Sequence, residues 1–190
     1  MVWKAAEFHE WFSKISDPEK MQRALNELTK DQAKEYLELQ TFNHFAKAST
    51  LDIDPRTIEN RKAPEPDIYC EVSRHGHYFE LGELTDQHIP RNAAEAKRAG
   101  SDVHGGPVSQ ANPLEKMVFE KCSKSYSLND GPASLLLHFS VGHQVPNPML
   151  LTSFLSQHHA RIVEALKMSA FDSIWFYDAW SDSVPGVVER

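Results

Sequence analysis

Apolar residues recur at helical spacing through residues 4–48, and this period predicts a helical N-terminal part, residues 1–50. The pattern is strongest in residues 31–49. Within that segment, Glu35 and Glu38 fall on the same helical face as the apolar residues. This conflict marks either acidic residues with a role or a polar face that is wider than the pattern suggests.

Short apolar runs replace the helical period further along the chain. Residues 52–66 are polar and proline-rich, which predicts a connector. Two strand-like runs follow, residues 67–72 and 77–84, and the four residues between them end in Gly76 and suit a hairpin turn. Residues 85–112 are polar, and we interpret them as a flap over a site, a plain surface excursion or a short helix.

The second half of the chain alternates between helical and strand-like patterns. Residues 113–126 read as a helix that begins with a proline, residues 133–140 as a buried strand, residues 148–170 as a long amphipathic helix and residues 173–179 as a final strand. Residues 181–190 read as a C-terminal tail. This order predicts an α/β fold with a mixed central sheet flanked by helices, in which an antiparallel hairpin precedes parallel neighbours.

At a length of 190 residues one core can enclose most of the chain, so we expect a single domain covering residues 1–190. Apolar residues make up 41% of the sequence and charged residues 25%, as in soluble globular proteins. The longest apolar runs, such as residues 134–139, are too short to span a bilayer, and the first residues lack the apolar segment of a signal peptide. We therefore expect a cytoplasmic protein with no membrane partner.

Charge and cysteine content narrow the functional classes. The formal net charge of −7 disfavours strong nonspecific binding to nucleic acid, since such binding depends on many Lys and Arg side chains. Nucleic acid is thus a candidate partner that the charge does not indicate. Cys70 and Cys122 show no CxxC spacing, so we expect packed thiols and no cysteine zinc site.

Two acidic residues lie in the predicted hairpin. Asp67 opens the first strand, and Glu80 lies in the middle of the second, between Phe79 and Leu81. Adjacent strands can present carboxylates to one point, and hard cations such as Mg²⁺ require converging oxygen ligands. A metal or a cationic side chain is therefore expected beside Glu80. The alternative is that Glu80 and Glu83 alternate with the apolar residues on a solvent-facing side.

The hairpin sequence resembles a known motif. Residues 66–70 (PDIYC) and 79–84 (FELGEL) are similar to the two halves of the signature of the PD-(D/E)XK nuclease superfamily, in particular of its uncharacterised bacterial members. With the order of elements included, the resemblance covers residues 60–180. It implies a restriction-endonuclease-like core there, an N-terminal helical extension, and metal-dependent hydrolysis of nucleic-acid phosphodiester bonds.

The resemblance also implies the residues of the site. Asp67 matches the motif aspartate and Glu80 the second acidic residue, and together with Leu81 they would bind Mg²⁺ or Mn²⁺. An acidic residue on the preceding helix often helps to hold or orient the metal in this superfamily. Glu35 and Glu38 are both candidates for that position.

One position departs from the motif. The family lysine belongs at position 82, where this chain has Gly82, and Glu83 would point to the other face unless a bulge redirects it. Lys121 lies inside the apolar stripe of the predicted helix 113–126, with Lys124 at its margin. We expect Lys121 to reach the second acidic residue and to assist catalysis. The alternative is that it extends to the surface.

Two functions stay open at this point. A nuclease in which Asp67, Glu80 and Lys121 are catalytic is favoured by the retained acidic pair. A catalytically degenerate protein of the same fold, acting as a binding or structural module, is favoured by the acidic net charge and by Gly82. The sequence leaves both as hypotheses.

Ten histidines raise the question of a zinc site. His75 and His77 could share a strand face, and residues 158–159 lie on a predicted helix, but no HExxH or Cys/His array accompanies them. We interpret them as exposed or ordinarily packed side chains. His138 and Gln110 are secondary candidates for a pocket.

Overall fold

A computed structural model describes residues 29–83, 113–129, 131–139, 148–179 and 181–190 of the chain. These ranges contain three helices and six strands. In chain order they are α1 (Lys30–Ala48), β1 (Ile53–Asn60), β2 (Ile68–Val72), β3 (His75–Glu83), α2 (Pro113–Cys122), β4 (Ala133–Phe139), α3 (Pro148–Lys167), β5 (Phe171–Asp178) and β6 (Ser183–Glu189).

The first of these helices, α1, begins at a capping box. The Thr29 hydroxyl accepts the Gln32 amide N–H at 3.3 Å, and the Gln32 side chain accepts the Thr29 amide N–H at 3.0 Å. The helix runs to Ala48, so the prediction of a helix at residues 31–49 is confirmed. The earlier residues of the predicted helical N-terminal part lie outside the described residues.

The six strands form one mixed sheet in chain order. β1, β2 and β3 pair antiparallel, β3, β4 and β5 pair parallel, and β6 returns antiparallel to β5. This confirms the α/β class and the mixed sheet that starts with a hairpin. The hairpin turn is tighter than predicted, because Ser73 and Arg74 alone connect the strands, with φ angles of 50° and 68° that suit a type I′ turn.

Helices cover both faces of the sheet. α1 packs on one face, where Phe42 and Phe45 lie with their ring centroids 4.9 and 5.8 Å from that of Phe79. α2 and α3 pack on the other face. Cys70 is buried under α1 and Cys122 on the opposite face, both as free thiols, as predicted. The largest fully buried side chains are those of Tyr177, Phe42, Phe45, Phe79, Phe171 and Phe176.

Two strands lie where the sequence predicted none. β1 (Ile53–Asn60) occupies the first part of the predicted connector, residues 52–66, of which only the part after Asn60 is a connector, and β6 occupies most of the predicted C-terminal tail, residues 181–190, so both predictions are wrong where these strands lie. These are the two edge strands of the described sheet. A proline is tolerated on an edge strand because its missing N–H can face the side that has no neighbouring strand. Pro55 lies in β1 within a register shift, and Pro185 lies in β6. Pro55 therefore belongs to an edge strand, whereas Pro64 and Pro66 of the predicted connector lie between β1 and β2.

The remaining predicted elements are present with shifted ends. α2 and α3 end at Cys122 and Lys167, before the predicted ends at 126 and 170, and β5 starts at Phe171 and not at 173. Leu84 and the predicted flap, residues 85–112, lie outside the described residues. Among the helices that are described, none combines the length and apolar character needed to cross a bilayer.

Candidate functional site

The candidate site lies where β2 and β3 stop pairing. Their ladder ends at the pair Ile68–Phe79, so the main-chain groups of Leu81 have no partner on β2. The Asp67 carboxylate provides the hydrogen-bond acceptor that β2 no longer provides, because its Oδ2 accepts the Leu81 N–H at 2.9 Å. Asp67 is thereby held beside the segment of β3 that carries Glu80. Both predicted acidic residues line one cleft.

Lys121 reaches this point from α2. Its Nζ donates to Glu80 Oε1 at 2.6 Å and to the Leu81 carbonyl oxygen at 2.6 Å. The Lys121 and Glu80 side chains are 15% and 8% exposed, so water has little access to this ion pair. Val118 and Cys122, which flank Lys121 on the helix, are buried against the sheet and hold it in this orientation. The alternative that Lys121 extends to the surface is wrong.

The space around Gly82 on β3 is already filled by neighbouring side chains. Gly82 lies two residues after Glu80 on β3 and therefore faces the same side of the sheet. A Cβ atom at this position would lie 2.6 Å from Leu137 Cδ2 and 3.4 Å from the Met117 side chain. Met117 of α2 and Leu137 of β4 thus fill the space that a lysine at position 82 would need.

Glu38 of α1 adds a third carboxylate. Burial first, and then the negative charges of Asp67 and Glu80, raise the pKa of Glu38 to about 7, although Lys34 lowers it. Lys34 Nζ lies 2.9 Å from Glu38 Oε1 and 3.6 Å from Asp67 Oδ1. Burial lowers the pKa of Lys34, but Glu38 and Asp67 outweigh burial and raise it above its ordinary value. Three carboxylates and the ammonium groups of Lys34 and Lys121 therefore meet here.

Glu35, the other acidic candidate on α1, lines the same cleft. Its Oε1 lies 3.1 Å from Lys62 Nζ, and its side chain is 16% exposed. Glu38, by contrast, shares Lys34 with Asp67. The sequence left the choice between the two glutamates open, and the structure links Glu38 to the acidic pair through this shared lysine.

The cleft around these residues has a volume of about 410 Å³. Lys124, which the sequence placed at the margin of the helical stripe, is exposed and lines it. The Tyr126 hydroxyl is buried near Glu80 but makes no hydrogen bond of acceptable geometry to any described residue, and burial and the Glu80 charge raise its pKa. The lining residues are Asp31, Lys34, Glu35, Glu38, Arg61, Lys62, Ala63, Pro64, Glu65, Asp67, Glu80, Lys124, Ser125 and Tyr126.

Other residues selected from the sequence lie elsewhere. Glu83 is exposed at the end of β3 and does not line the cleft. His138 is buried outside the cleft lining, and burial lowers its pKa to about 4. The His77 ring is hydrogen-bonded to the Ser134 hydroxyl at 2.8 Å. Gln110 lies outside the described residues.

Sequence reasoning missed several residues that line the cleft, among them Lys34, Lys62 and Tyr126. The spacing of Lys34 and Glu38, four residues apart on a helix, was a readable signal of an ion pair. Lys62 and Tyr126 lie in connecting segments, whose position in space no local pattern indicates.

The site has the donor atoms that a hard divalent cation prefers, but two lysines contact them in this structure. Asp67, Glu80 and the Leu81 carbonyl offer only oxygen ligands. In the described parts of the chain, no group of three or more His, Cys, Asp or Glu side chains is arranged so that it could hold a metal ion. Lys121 binds Glu80 and Leu81, and Lys34 faces Asp67. The residues fit such a cation chemically once an ammonium group moves away.

Comparisons with known proteins add no relative to this picture. No family model, no curated protein and no solved structure matches the chain.

Proposed function

We propose that this protein is a metal-dependent nuclease with a restriction-endonuclease-like core, which hydrolyses phosphodiester bonds of nucleic acids. The observation that supports this most is the 2.6 Å contact between Lys121 Nζ and Glu80 Oε1, next to Asp67. The resembling signature needs two acidic residues and a lysine at one point. Here they come from three places: the segment before β2, the strand β3 and the helix α2.

Asp67, Glu80 and the Leu81 carbonyl oxygen would bind Mg²⁺ or Mn²⁺ in this proposal. The bound cation supplies Lewis acidity and lowers the pKa of a water molecule. Lys121 contributes a fixed positive charge: two of its three N–H bonds are engaged by Glu80 and Leu81. The third can donate to a phosphate oxygen that gains negative charge in the transition state.

Substrate binding would use the rest of the cleft. Lys62 and Lys124 lie on its wall and can contact phosphates that flank the scissile one. Glu38 would support the acidic pair from α1, and Glu35 would orient Lys62 through their 3.1 Å contact. In the proposal Lys62 and Lys124 are substrate-binding residues, and Glu38 and Glu35 are positioning residues.

A second function, that of a binding or structural module on a degenerate nuclease fold, has support from the same ion pairs. Glu80 is paired with Lys121, and Asp67 and Glu38 share Lys34, so the charges are compensated without a metal. The net charge of −7 also disfavours tight binding to nucleic acid. A cleavage assay separates the two functions.

Lys121→Met, with Lys116→Met as its matched control, tests the nuclease. Lys116 lies on the same helix, but its side chain is 58% exposed and lies 3.7 Å from the exposed Glu120. With Mn²⁺, the wild type should cleave plasmid DNA or labelled RNA. Lys121→Met should cleave at least tenfold more slowly, since loss of a positioned transition-state charge costs about 10²–10³ in rate. Lys116→Met should match the wild type.

Two results would contradict this assignment. Equal cleavage by folded Lys121→Met and wild type, with folding checked by circular dichroism, would remove Lys121 from the mechanism. Cleavage of neither DNA nor RNA by the wild type would favour the module.

Asp67→Ala tests the cation independently of cleavage. Mn²⁺ should raise the melting temperature of the wild type, because a ligand that binds only the folded state stabilises it. Asp67→Ala should abolish that increase, whereas Asp54→Ala, which removes a partly exposed carboxylate paired with Arg56, should retain it. An unchanged increase in Asp67→Ala would show that the cation binds elsewhere.

A further inference from the structure

The two lysines of the site differ in the exposure of their side chains and in the distances to their acidic partners. The Lys121 side chain is 15% exposed and makes two contacts at 2.6 Å. The Lys34 side chain is 68% exposed, and its Nζ lies 2.9 Å from Glu38 and 3.6 Å from Asp67. An exposed lysine can turn its ammonium into water at little cost. Movement of Lys121 would leave Glu80 buried without a partner, which is costly.

The Lys34 ammonium lies beside Asp67, one of the proposed metal ligands. Its ammonium lies between a carboxylate of α1, Glu38, and the carboxylate that precedes β2, Asp67. Asp67 is also a ligand of the divalent cation in the proposed function, and two cations at such short separation repel each other. The ammonium and the metal ion therefore compete for Asp67.

We propose that Lys34 is a removable counterion, whose ammonium takes the place of the divalent cation in the metal-free protein and moves into solvent when Mg²⁺ or Mn²⁺ binds. This inference rests on the metal site of the proposed function, but it does not require that the protein cleave nucleic acid. Lys34 keeps Glu38 and Asp67 together before the metal arrives, and it sets how much cation is needed to displace it.

Replacement of Lys34 should have opposite effects in the two states. Without metal, Glu38 and Asp67 lose a counterion, so the folded protein becomes less stable. With metal, the competitor is gone, so the cation binds more tightly. A lysine that merely orients the carboxylates would produce weaker metal binding on replacement, which is the contrary result.

The experiment compares Lys34→Met with Lys62→Met by calorimetric titration with Mn²⁺ and by thermal unfolding. Lys62 is a close control, since its side chain is 63% exposed in the same cleft but pairs with Glu35. Lys34→Met should bind Mn²⁺ about tenfold more tightly than wild type, the order expected when one neighbouring exposed charge is removed. Lys62→Met should stay within about twofold, because the Lys62 ammonium pairs with Glu35 and not with a proposed metal ligand. Saturating Mn²⁺ should remove most of the melting-temperature difference between Lys34→Met and wild type.

The outcomes separate this inference from the nuclease. Mn²⁺ binding by Lys34→Met that is equal to or weaker than that of a binding wild type overturns the counterion role and leaves the metal site standing. Absence of Mn²⁺ binding in all three proteins overturns both. If Lys34→Met binds Mn²⁺ more tightly and the wild type cleaves no nucleic acid, the counterion role is supported and only the nuclease function is contradicted.

Discussion

Replacement of Lys121 by Met should cost more stability than replacement of Glu80 by Gln, because the site contains more carboxylates than ammonium groups. Lys121→Met leaves Glu80 buried beside Asp67 and Glu38, with Lys34 as the remaining lysine that pairs with two of these three carboxylates. Glu80→Gln leaves two carboxylates facing two lysines. Lys121→Met therefore leaves the carboxylates with less compensating positive charge, whereas Glu80→Gln reduces the repulsion between them.

The structure allows the difference to be estimated. Removal of one partner of a buried ion pair costs about 3–5 kcal/mol. Lys121→Met should fall near 3 kcal/mol, at the lower end of that range, since the Lys121 side chain keeps 15% exposure. In Glu80→Gln the amide oxygen can still accept from Lys121, so the cost is roughly that of exchanging a charged acceptor for a neutral one, about 1 kcal/mol. The two variants should thus differ by about 2 kcal/mol.

Urea unfolding in metal-free buffer with EDTA, followed by circular dichroism, measures this difference as a shift of the midpoint at constant m value. Lys116→Met provides the control and should lie within about 0.5 kcal/mol of wild type, because its ion pair with Glu120 is exposed. A cost for Glu80→Gln that equals or exceeds the cost for Lys121→Met would refute the reasoning, since crowding of carboxylates would then not govern the site.

Two further predictions concern the sheet. Gly82→Ala should lower the free energy of unfolding by about 1–3 kcal/mol, as overpacking does, because its Cβ would lie 2.6 Å from Leu137 Cδ2; an unchanged urea midpoint would show that Leu137 yields freely. Burial lowers the pKa of His77 from 6.5 to about 4, so the unfolded chain takes up the proton first, and stability that is present above pH 6.5 is lost as the pH falls through that window. The share of this loss that comes from His77 should amount to about 3 kcal/mol, and His77→Gln should remove that share while the share from His138, whose pKa is also lowered to about 4, remains; an identical pH dependence of unfolding in both proteins would contradict this origin.

The parts of the fold that the sequence predicted are those with a strong period or two buried faces. α1 and β3 are examples, since each has side chains packed against the sheet or a helix in a regular pattern. β1 and β6 escaped prediction because they are edge strands, half of whose main chain faces outward, so prolines and polar residues are tolerated there. Local composition cannot distinguish such an edge from a loop.

The site divides in the same way. Asp67 and Glu80 were readable because the register of a hairpin follows from the sequence, and Lys121 because its angle on a helical wheel does. The roles of Lys34 and Tyr126 depend on how α1 and the segment after α2 lie against the sheet. That arrangement is a property of tertiary packing, to which neighbouring residues in the chain give no guide.

A lysine carried by α2 makes the geometry of this centre adjustable from a distance. If an acid and a base lie two residues apart on one strand, the peptide backbone fixes the distance between them. Here Glu80 belongs to β3, whereas Lys121 belongs to α2, a helix that contacts β3 through Met117 and Gly82. A change of side-chain volume at that interface, at Met117 or at the buried Val118, would move the ammonium relative to the carboxylate without altering a single charged residue. Apolar substitutions under α2 are therefore a route by which evolution or an engineer can tune the centre gradually.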